Sequence, residues 1–350
     1  MRAVQSRVLY ALSALFLATL CHAQTVSESK INLAPYGFVK SSCVWYPGDV
    51  EFLDDEHLVL SAPTMTKCDK SLWDSPTDTT ITVINLKGEK VASSHRSDVI
   101  RMFAGPLGYV SVCVGDHVEL LSVKLQVSAS IPLTAGRTVS RCSFYGRLTP
   151  SRNAMVISGP GHHEFTLYRV SPADSTRIEI PTGYNVRAVA DDGLLLCKNV
   201  QCEVSGSAGV TRRFPSLEGA YDVDIKGLIS QDKLLVADRD GKRLYTVNPS
   251  GEKRTVADLS KIKPPFINSS DSQLSAAEPR RLLYRVDGCL LGDFDDCYGD
   301  VFHRFAVFDS QNAQLLFRHN YAPTANLKIS PDGRTISEQN GTELRLFRLP

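Results

Sequence analysis

Short apolar runs separated by turn residues are the most regular pattern in this chain, and residues 231–256 show it best. The apolar run 234–238 leads into the turn 238–242, the alternating segment 243–248 leads into the turn 249–252, and a third β-rich segment follows. Asp, Asn, Pro, Ser and Gly fill the turns, as tight connections between strands require. The pattern predicts three short β-strands joined by two tight turns.

Weaker copies of this unit recur along the whole chain. The apolar cores of the candidate second strands begin at Leu58, Val110, Met155, Leu194, Leu234, Leu282 and Thr335. Their starts lie 52, 45, 39, 40, 48 and 53 residues apart. The mean of about 46 residues falls in the range of four-stranded propeller blades. The spacing predicts an all-β chain folded as a β-propeller of seven four-stranded blades, with six blades as the alternative because the second unit is irregular.

Polar turns occupy equivalent places in several of these units. Turns that follow a first strand lie at 52–57, 190–193 and 329–334, and turns that follow a third strand lie at 85–89 and 248–252. These stretches resemble the NHL, YVTN and WD40-like β-propeller repeats of exported proteins, most clearly across 233–252 and 327–349. The resemblance is to a superfamily and to no specific family. It implies a fold but no function, because propellers serve as enzymes, binding modules and scaffolds.

The last unit offers only three strands before the chain ends, at 325–329, 335–338 and 343–349. A blade without its fourth strand leaves an unpaired edge, which invites association with other chains. The segment 30–40, which precedes the first unit, is in the right place to supply that strand. We therefore predict that the N- and C-terminal segments share the last blade, and that residues 24–350 form a single propeller domain.

The first 23 residues differ from the rest of the chain. Arg2 and Arg7 precede the apolar run 8–20, and Ala23 ends the segment. A basic start, a short apolar centre and a small final residue are typical of a secretory signal peptide. A membrane anchor is the alternative, but the run of about 13 residues is shorter than the roughly 20 that a spanning helix needs. Residues 1–23 are therefore predicted to be a signal peptide, and the mature protein to be secreted or periplasmic.

Charge excludes one class of partner. Of the 39 basic side chains, two lie in the predicted signal peptide, so the mature chain carries 37 basic and 38 acidic side chains. Nucleic-acid-binding domains carry a basic patch or stripe instead. No later segment is long and apolar enough to span a bilayer. We expect no nucleic-acid partner and no membrane span in the mature chain.

The cysteines predict a set of disulfides. Eight of the nine lie beyond the predicted signal peptide, and an even number in an exported chain favours bridges. A zinc site is less favoured because the chain has no Cys-x2-Cys pair. In a four-stranded blade, the loop between strands two and three lies on the same face as the connection that enters strand one, and all eight cysteines fall there. Pairing neighbours in sequence places every bridge on that face. The predicted bridges are Cys43–Cys68, Cys113–Cys142, Cys197–Cys202 and Cys289–Cys297.

Two adjacent histidines are candidate functional residues on the same face. His162 and His163 lie in the glycine-rich loop 158–164, which lacks the GK[ST] ending of a phosphate-binding loop. Histidine is suited to metal binding and to acid–base chemistry, although adjacent residues of a strand point to opposite sides. The alternative is a polar hairpin tip without a chemical role.

An acidic loop provides candidate metal ligands. Asp293, Asp295, Asp296 and Asp300 bring four carboxylates into eight residues. Calcium prefers such oxygen-rich loops, but the twelve-residue EF-hand pattern is missing. We therefore expect no cofactor, with calcium bound by these carboxylates as the alternative, and a solvated acidic loop is the simpler interpretation.

One tryptophan is a candidate contact for a ligand. Trp73 lies in the polar, proline-bearing loop 71–76. An exposed aromatic side chain in such a loop is suited to stacking against a sugar or a peptide. The alternative is that Trp73 covers the top of the first blade. The chain has no G-x-S-x-G nucleophile elbow.

Together these features favour an exported binding or scaffold module over an enzyme. Its partner, a protein, a peptide or a glycan, is expected to dock on the disulfide-tied face through Trp73, His162, His163, Asp293, Asp295 and Asp296. The alternative is a calcium-dependent hydrolase or lactonase-like propeller enzyme, for which no catalytic residues are assigned. A third hypothesis is a purely structural protein of the cell envelope.

Overall fold

The computed structural model describes residues 26–38, 48–63, 77–115, 117–132, 147–148, 152–158, 164–170, 173–181, 183–198, 201–206, 211–214, 224–238, 242–262, 269–274, 281–289 and 301–350. Regular structure in these residues is almost entirely strand, with short 3₁₀ helices at Ala34–Tyr36, Pro106–Gly108 and Leu259–Lys261. No helix among them has the length and apolar character needed to cross a membrane. The all-β fold class is confirmed.

The strands of the described residues follow one another along the chain with few interruptions. In chain order they are β1 Ser27–Asn32, β2 Asp49–Phe52, β3 His57–Pro63, β4 Thr77–Asn85, β5 Lys90–Ala104, β6 Val110–Val114, β7 His117–Leu121, β8 Val127–Pro132, β9 Arg147–Leu148, β10 Ala154–Ser158, β11 Glu164–Val170, β12 Ala173–Glu179, β13 Asn185–Ala190, β14 Gly193–Lys198, β15 Gln201–Gly206, β16 Thr211–Arg213, β17 Asp224–Ser230, β18 Lys233–Ala237, β19 Arg243–Val247, β20 Lys253–Asp258, β21 Ser269–Leu274, β22 Arg281–Cys289, β23 Val301–Asp309, β24 Gln314–Asn320, β25 Asn326–Ile329, β26 Thr335–Asn340 and β27 Glu343–Arg348.

These strands pair into antiparallel sheets of consecutive strands. The first sheet contains β2 to β8, the second β9 to β12, the third β13 to β16, the fourth β17 to β20 and the fifth β21 to β24. The last sheet has the order β25-β26-β27-β1. All seven predicted second-strand cores lie in strands, and the three strands predicted in 231–256 are β18, β19 and β20. The number of blades stays a prediction.

The first sheet has seven strands because β5 belongs to two strand groups. Residues 90–99 of β5 pair with β4, and residues 99–104 pair with β6 after a register shift near Val99. The segment 90–104 contains no glycine or proline, so nothing in it breaks the strand. Arg96 of β5 also donates to Glu119 of β7, with 2.5 Å between Nη1 and Oε2. This long shared strand lies in the second repeat, which is irregular in the sequence as well.

The N-terminal strand completes the last sheet. β1 pairs antiparallel with β27, from Ser27 opposite Arg348 to Asn32 opposite Glu343. The backbone N–H of Leu33 then donates to the carbonyl of Thr342 over 2.8 Å. The N- and C-terminal segments therefore share one sheet, and the pairing strand is Ser27–Asn32 where the sequence suggested 30–40.

The register gives each sheet two distinct ends. The start of a first strand pairs with the end of the second strand, as Asp49 does with Ser61 and Asn185 with Cys197. We call this the loop end, because the loop between the second and third strands also leaves from it. The turns between first and second strands, such as the one from Ala190 to Gly193, lie at the opposite end, which we call the turn end.

The core lies between neighbouring sheets. One cluster of buried side chains joins Leu344 of the last sheet to Leu58 of the first, and another joins Phe305 of the fifth sheet to Ile336 of the last. Second strands are buried on both faces, as in β14, where all residues but the final Lys198 are buried. A strand buried on both faces reads as a continuous apolar run, which is why these strands were recognisable in the sequence.

A glycine allows the first strand to start close to its neighbours. Gly48 has a φ of +83°, and a Cβ atom there would come within 2.6 Å of the Phe38 ring and 2.7 Å of the Ser61 carbonyl oxygen. Only glycine meets both conditions. The conformation of Gly48 therefore lets β2 begin against Phe38, at the loop end of the first sheet.

Replacement of Leu33 by alanine tests the role of the N-terminal segment. Leu33 is fully buried in the cluster that joins the last and first sheets. We expect Leu33→Ala to lower the free energy of unfolding by about 2–5 kcal/mol, because it removes buried methyl groups and leaves a cavity. The exposed Lys30→Ala is the matched control and should change it by less than about 0.5 kcal/mol. Urea unfolding followed by fluorescence measures the free energy of unfolding of both variants and of the wild type. Equal values for Leu33→Ala and the wild type would show that the segment lies outside the folded core.

Candidate functional site

The predicted site residues lie outside the described residues. This holds for Trp73, His162, His163, Asp293, Asp295, Asp296 and Asp300. The strand ends that flank their loops are described. Pro63 pairs with Thr79, Ser158 with Phe165 and Cys289 with Val301, so all three loops leave from the loop ends of their sheets. The placement and the roles of these residues stay predictions.

One predicted disulfide is present at the loop end. Cys197 and Cys202 are bonded across the β14–β15 hairpin, with their Cα atoms 4.1 Å apart. Cys113, at the loop end of β6, is also disulfide-bonded, and its predicted partner Cys142 lies outside the described residues. Cys43, Cys68 and Cys297 lie outside them as well, so the bridges Cys43–Cys68, Cys113–Cys142 and Cys289–Cys297 stay predictions.

The acidic turns seen in the sequence tie neighbouring sheets together at the turn end. The backbone N–H of Asp332 donates to Oδ1 of Asp55 over 2.8 Å, which joins the last sheet to the first. The N–H of Gln231 donates to Oδ1 of Asp192 over 2.8 Å, which joins the fourth sheet to the third. These carboxylates accept hydrogen bonds from turns of other sheets, so their role here is structural.

A largely buried arginine lies among these acidic turns. Nη2 of Arg152 donates to the carbonyl of Phe52 over 2.5 Å. Burial lowers the pKa of Arg152, while the nearby Glu51, Asp55 and Asp54 oppose that shift. Burial also raises the pKa of Asp55. Arg152 therefore connects the second sheet to the first, and no pattern in the sequence had singled it out.

A second ionic cluster lies between the last and fifth sheets, around one buried carboxylate. Glu338 of β26 is 2% exposed and accepts from Arg345 of β27, with 3.3 Å between Oε2 and Nη1. Arg345 also pairs with Glu28 of β1 over 2.8 Å. His319 of β24 approaches Glu338 within 4.0 Å. A buried carboxylate needs such a partner, because an unpaired charge in the interior is costly.

His319 is held in a defined protonation state. Nε2 lies 3.3 Å from Nη1 of Arg345, and a guanidinium is only a donor, so Nε2 accepts and the imidazole proton is on Nδ1. The ring stacks on Phe317 with a centroid distance of 6.1 Å and packs on Phe347 at 4.8 Å. Burial lowers the pKa of His319. The ring is therefore neutral at pH 7 and acts as a packing and hydrogen-bonding group.

Metal-ligating side chains do not cluster in the part of the chain that the structure describes. No group of three or more His, Cys, Asp or Glu side chains is arranged to hold a metal ion in that part of the chain. The predicted carboxylate ligands at 293–300 lie outside it. Calcium binding by that loop stays the alternative prediction.

Comparison with solved structures gives the fold. A virginiamycin B lyase from Staphylococcus aureus, crystallised with quinupristin, matches with a TM-score of 0.52 and 13% identity over 93% of this chain and 100% of that one. The β-propeller domain of Cps50 (Swd1) from Myceliophteria thermophila matches with a TM-score of 0.50 and 11% identity over 93% and 100%. A chain of the mitotic checkpoint complex matches with a TM-score of 0.51 and 12% identity over 93% and 95%.

The sheets and these likenesses together show that the chain is a β-propeller. Sequence comparison adds no narrower class, since no protein-family model matches the chain and no curated protein matches it significantly. At identities of 11–13% the structural likeness shows the fold alone. The matching structures include a lyase and a chain of the mitotic checkpoint complex. The function must therefore be argued from the chain's own residues.

Peptide mapping under non-reducing conditions tests the cysteine pairing. Trypsin cleaves after Lys198, inside the Cys197–Cys202 loop. The bridge Cys197–Cys202 should therefore hold two tryptic peptides together until a reductant is added. We expect every other bridge to join sequence neighbours, with Cys113 linked to Cys142. A bridge between distant cysteines, such as Cys43 to Cys202, would overturn the arrangement of all bridges at the loop end.

The neutral state of His319 predicts how stability depends on pH. Because burial lowers the pKa of His319, the unfolded chain takes up a proton on this ring at a higher pH than the folded chain. Stability should therefore fall as the pH drops below about 6.5. We expect His319→Gln to lose less stability than the wild type between pH 7.5 and about 5.5 in urea unfolding. The exposed His95→Gln is the control and should follow the wild type. Parallel curves for all three proteins would contradict the assignment.

Proposed function

We propose that the chain is an exported β-propeller that binds a protein, peptide or glycan partner through the loops at its loop end. The observation that carries this proposal is the contrast between the two ends of the sheets. The turn end has short turns tied to one another by hydrogen bonds. The loop end carries the connections 64–76 and 290–300 with their candidate contact residues, beside two-residue hairpins such as the one bridged by Cys197–Cys202.

The length of the connections supports this assignment. At the turn end, β13 and β14 are joined by two residues, 191–192, and β17 and β18 by 231–232. At the loop end, residues 64–76 separate β3 from β4, and residues 290–300 separate β22 from β23. Binding residues are most often carried on long loops that a rigid scaffold positions. The loops 64–76 and 290–300 contain Trp73 and the acidic residues Asp293, Asp295 and Asp296.

The disulfides support export. Cys197–Cys202 is formed and Cys113 is disulfide-bonded. Such bridges persist in secreted and periplasmic proteins and are rare in the cytosol. The apolar segment within residues 1–23 has the features of a secretory signal peptide. Secretion or a periplasmic location is therefore part of the proposal, and the mature protein has no cofactor.

The alternative function is a calcium-dependent hydrolase or lactonase-like enzyme. The observation in its favour is the run of carboxylates at Asp293, Asp295, Asp296 and Asp300. The likeness to a lyase adds no argument at 13% identity. The two functions differ in their need for metal, which gives a direct test.

Metal analysis and ligand screening of the mature protein, residues 24–350, decide between these functions. We expect no stoichiometric calcium by mass spectrometry, and a melting temperature that EDTA shifts by less than about 1 °C. Stoichiometric calcium with a large loss of melting temperature on chelation would reject the cofactor-free module.

Screening of a random-peptide display library and a glycan array then supplies a probe. We expect Trp73→Ala, or the double change His162→Ala/His163→Ala, to weaken binding of the selected probe by at least about tenfold. The exposed turn-end variant Glu56→Gln is the control and should bind as the wild type does. Binding that the loop variants leave unchanged, or that Glu56→Gln abolishes, would place the binding surface elsewhere.

A further inference from the structure

Arg345 links the N-terminal strand to the interior of the last sheet. Its Nη2 lies 2.8 Å from Oε1 of Glu28 on β1, and its Nη1 lies 3.3 Å from Oε2 of the buried Glu338 on β26. β1 is the edge strand of this sheet, and Ile31 is its one buried residue. The attachment of β1 to the rest of the sheet therefore includes an ionic bridge that runs through Arg345 to a buried carboxylate.

His319 of the fifth sheet contacts the same end of this guanidinium. Nη1 of Arg345, which holds Glu338, also donates to Nε2 of His319 over 3.3 Å. The same Nε2 lies 4.0 Å from Oε2 of Glu338. Packing against Phe305 and Phe347 keeps the imidazole ring in this place. The nearest cation and the nearest anion of the ring are thus the two partners of a single ion pair.

Several charged side chains of the last sheet share the face that meets the ring. Among the described residues these are Glu338, Arg345, Glu343, Lys30 and Glu28. Lys30 and Glu343 pair with each other over 3.4 Å. Oε1 of Glu338 accepts from the backbone N–H of Ala322 over 3.3 Å, which leaves Oε2 to be held by a side chain. Control of Oε2 therefore rests with Arg345 and His319.

Protonation of His319 reverses its relation to both neighbours. An imidazolium has two N–H donors and no acceptor, so Nε2 can no longer accept from Arg345. The charged ring is then a second cation beside the guanidinium, and the two repel each other. At the same time Nε2–H gains the ability to donate to Oε2 of Glu338 with the help of opposite charge. A single proton thus weakens the hold of Arg345 on Glu338.

We propose that His319, Glu338 and Arg345 form an acid-sensitive latch on the N-terminal strand: protonation of His319 transfers Glu338 from Arg345 to the imidazolium and loosens β1. Burial lowers the pKa of His319 in the closed latch, so the open form binds the proton more tightly and acid favours opening. With an ordinary pKa of about 6.5 in the open form, one proton shifts the opening equilibrium by at most about tenfold between pH 7.5 and about 5.5. Carboxylates with ordinary pKa values near 4 stay ionised in this range.

Hydrogen–deuterium exchange of the purified protein between about pH 7.5 and 5.5 tests the proposal, after correction for the intrinsic pH dependence of amide exchange. We expect the protection of the β1 amides to fall by about three- to tenfold as the pH drops, while β14 and β18 change by less than about twofold. His319→Gln keeps an acceptor for Arg345 but takes up no proton, so its β1 protection should stay within about twofold over this range. Glu28→Gln removes the ionic link from Arg345 to β1, so its β1 protection should be low already at neutral pH and should not change with pH.

The exposed His95→Gln is the matched control and should keep the pH dependence of the wild type. The side chain of Glu28 is 37% exposed, so Glu28→Gln tests the latch even if His319→Gln fails to fold. Wild-type β1 protection that does not change with pH would overturn the proposal. An equal loss of protection in all sheets, or a pH dependence that His319→Gln or Glu28→Gln retains, would overturn it as well.

Discussion

Burial of second strands such as β14 and β18 on both faces is the constraint on which the rest of the structure depends. β14 and β18 are almost completely buried, and their side chains pack against the sheets on either side. Side chains on both faces must then fit the neighbouring sheets at close to native packing density. The large apolar area removed from water supplies most of the stability. The polar features described above are tolerated where this packing leaves room for their partners.

β26 shows what that constraint costs when it is relaxed. Its residues Thr335, Ser337, Glu338 and Gln339 are polar, and all four are buried. The strand occupies the same place in its sheet as the apolar β14. Glu338 is acceptable there because Arg345 reaches it from β27 and is itself held by Glu28 of the N-terminal strand. The last sheet therefore combines strand pairing between the two chain termini with an ionic network that also requires both.

The sequence contained enough information to predict the strands but not the contacts between sheets. The strands that contain Leu194 and Leu234 were recognisable in the sequence because a strand buried on both faces is apolar throughout. The bridge between Cys197 and Cys202 was predictable because a short hairpin brings the two residues together. The positions of Asp55 and Asp332 were visible as polar turns, but their hydrogen bond joins residues 277 positions apart. The local sequence pattern carries no information about which distant turn becomes a neighbour. The contacts that Arg152, His319 and Glu338 make between sheets were not predicted, for the same reason.

The long strand β5 has a consequence for how the molecule opens. Other strand groups meet through side-chain packing and through hydrogen bonds between their turns, whereas the first two groups also share one uninterrupted strand from Lys90 to Ala104. Separation of these groups requires the loss of the backbone hydrogen bonds of β5 to β4 or to β6, which adds to the loss of apolar contacts. The first sheet should therefore exchange its amide hydrogens as one cooperative unit of about twice the usual size, and the third and fourth sheets as separate smaller ones. The length of a single strand thus sets where the propeller is divided into units of local unfolding.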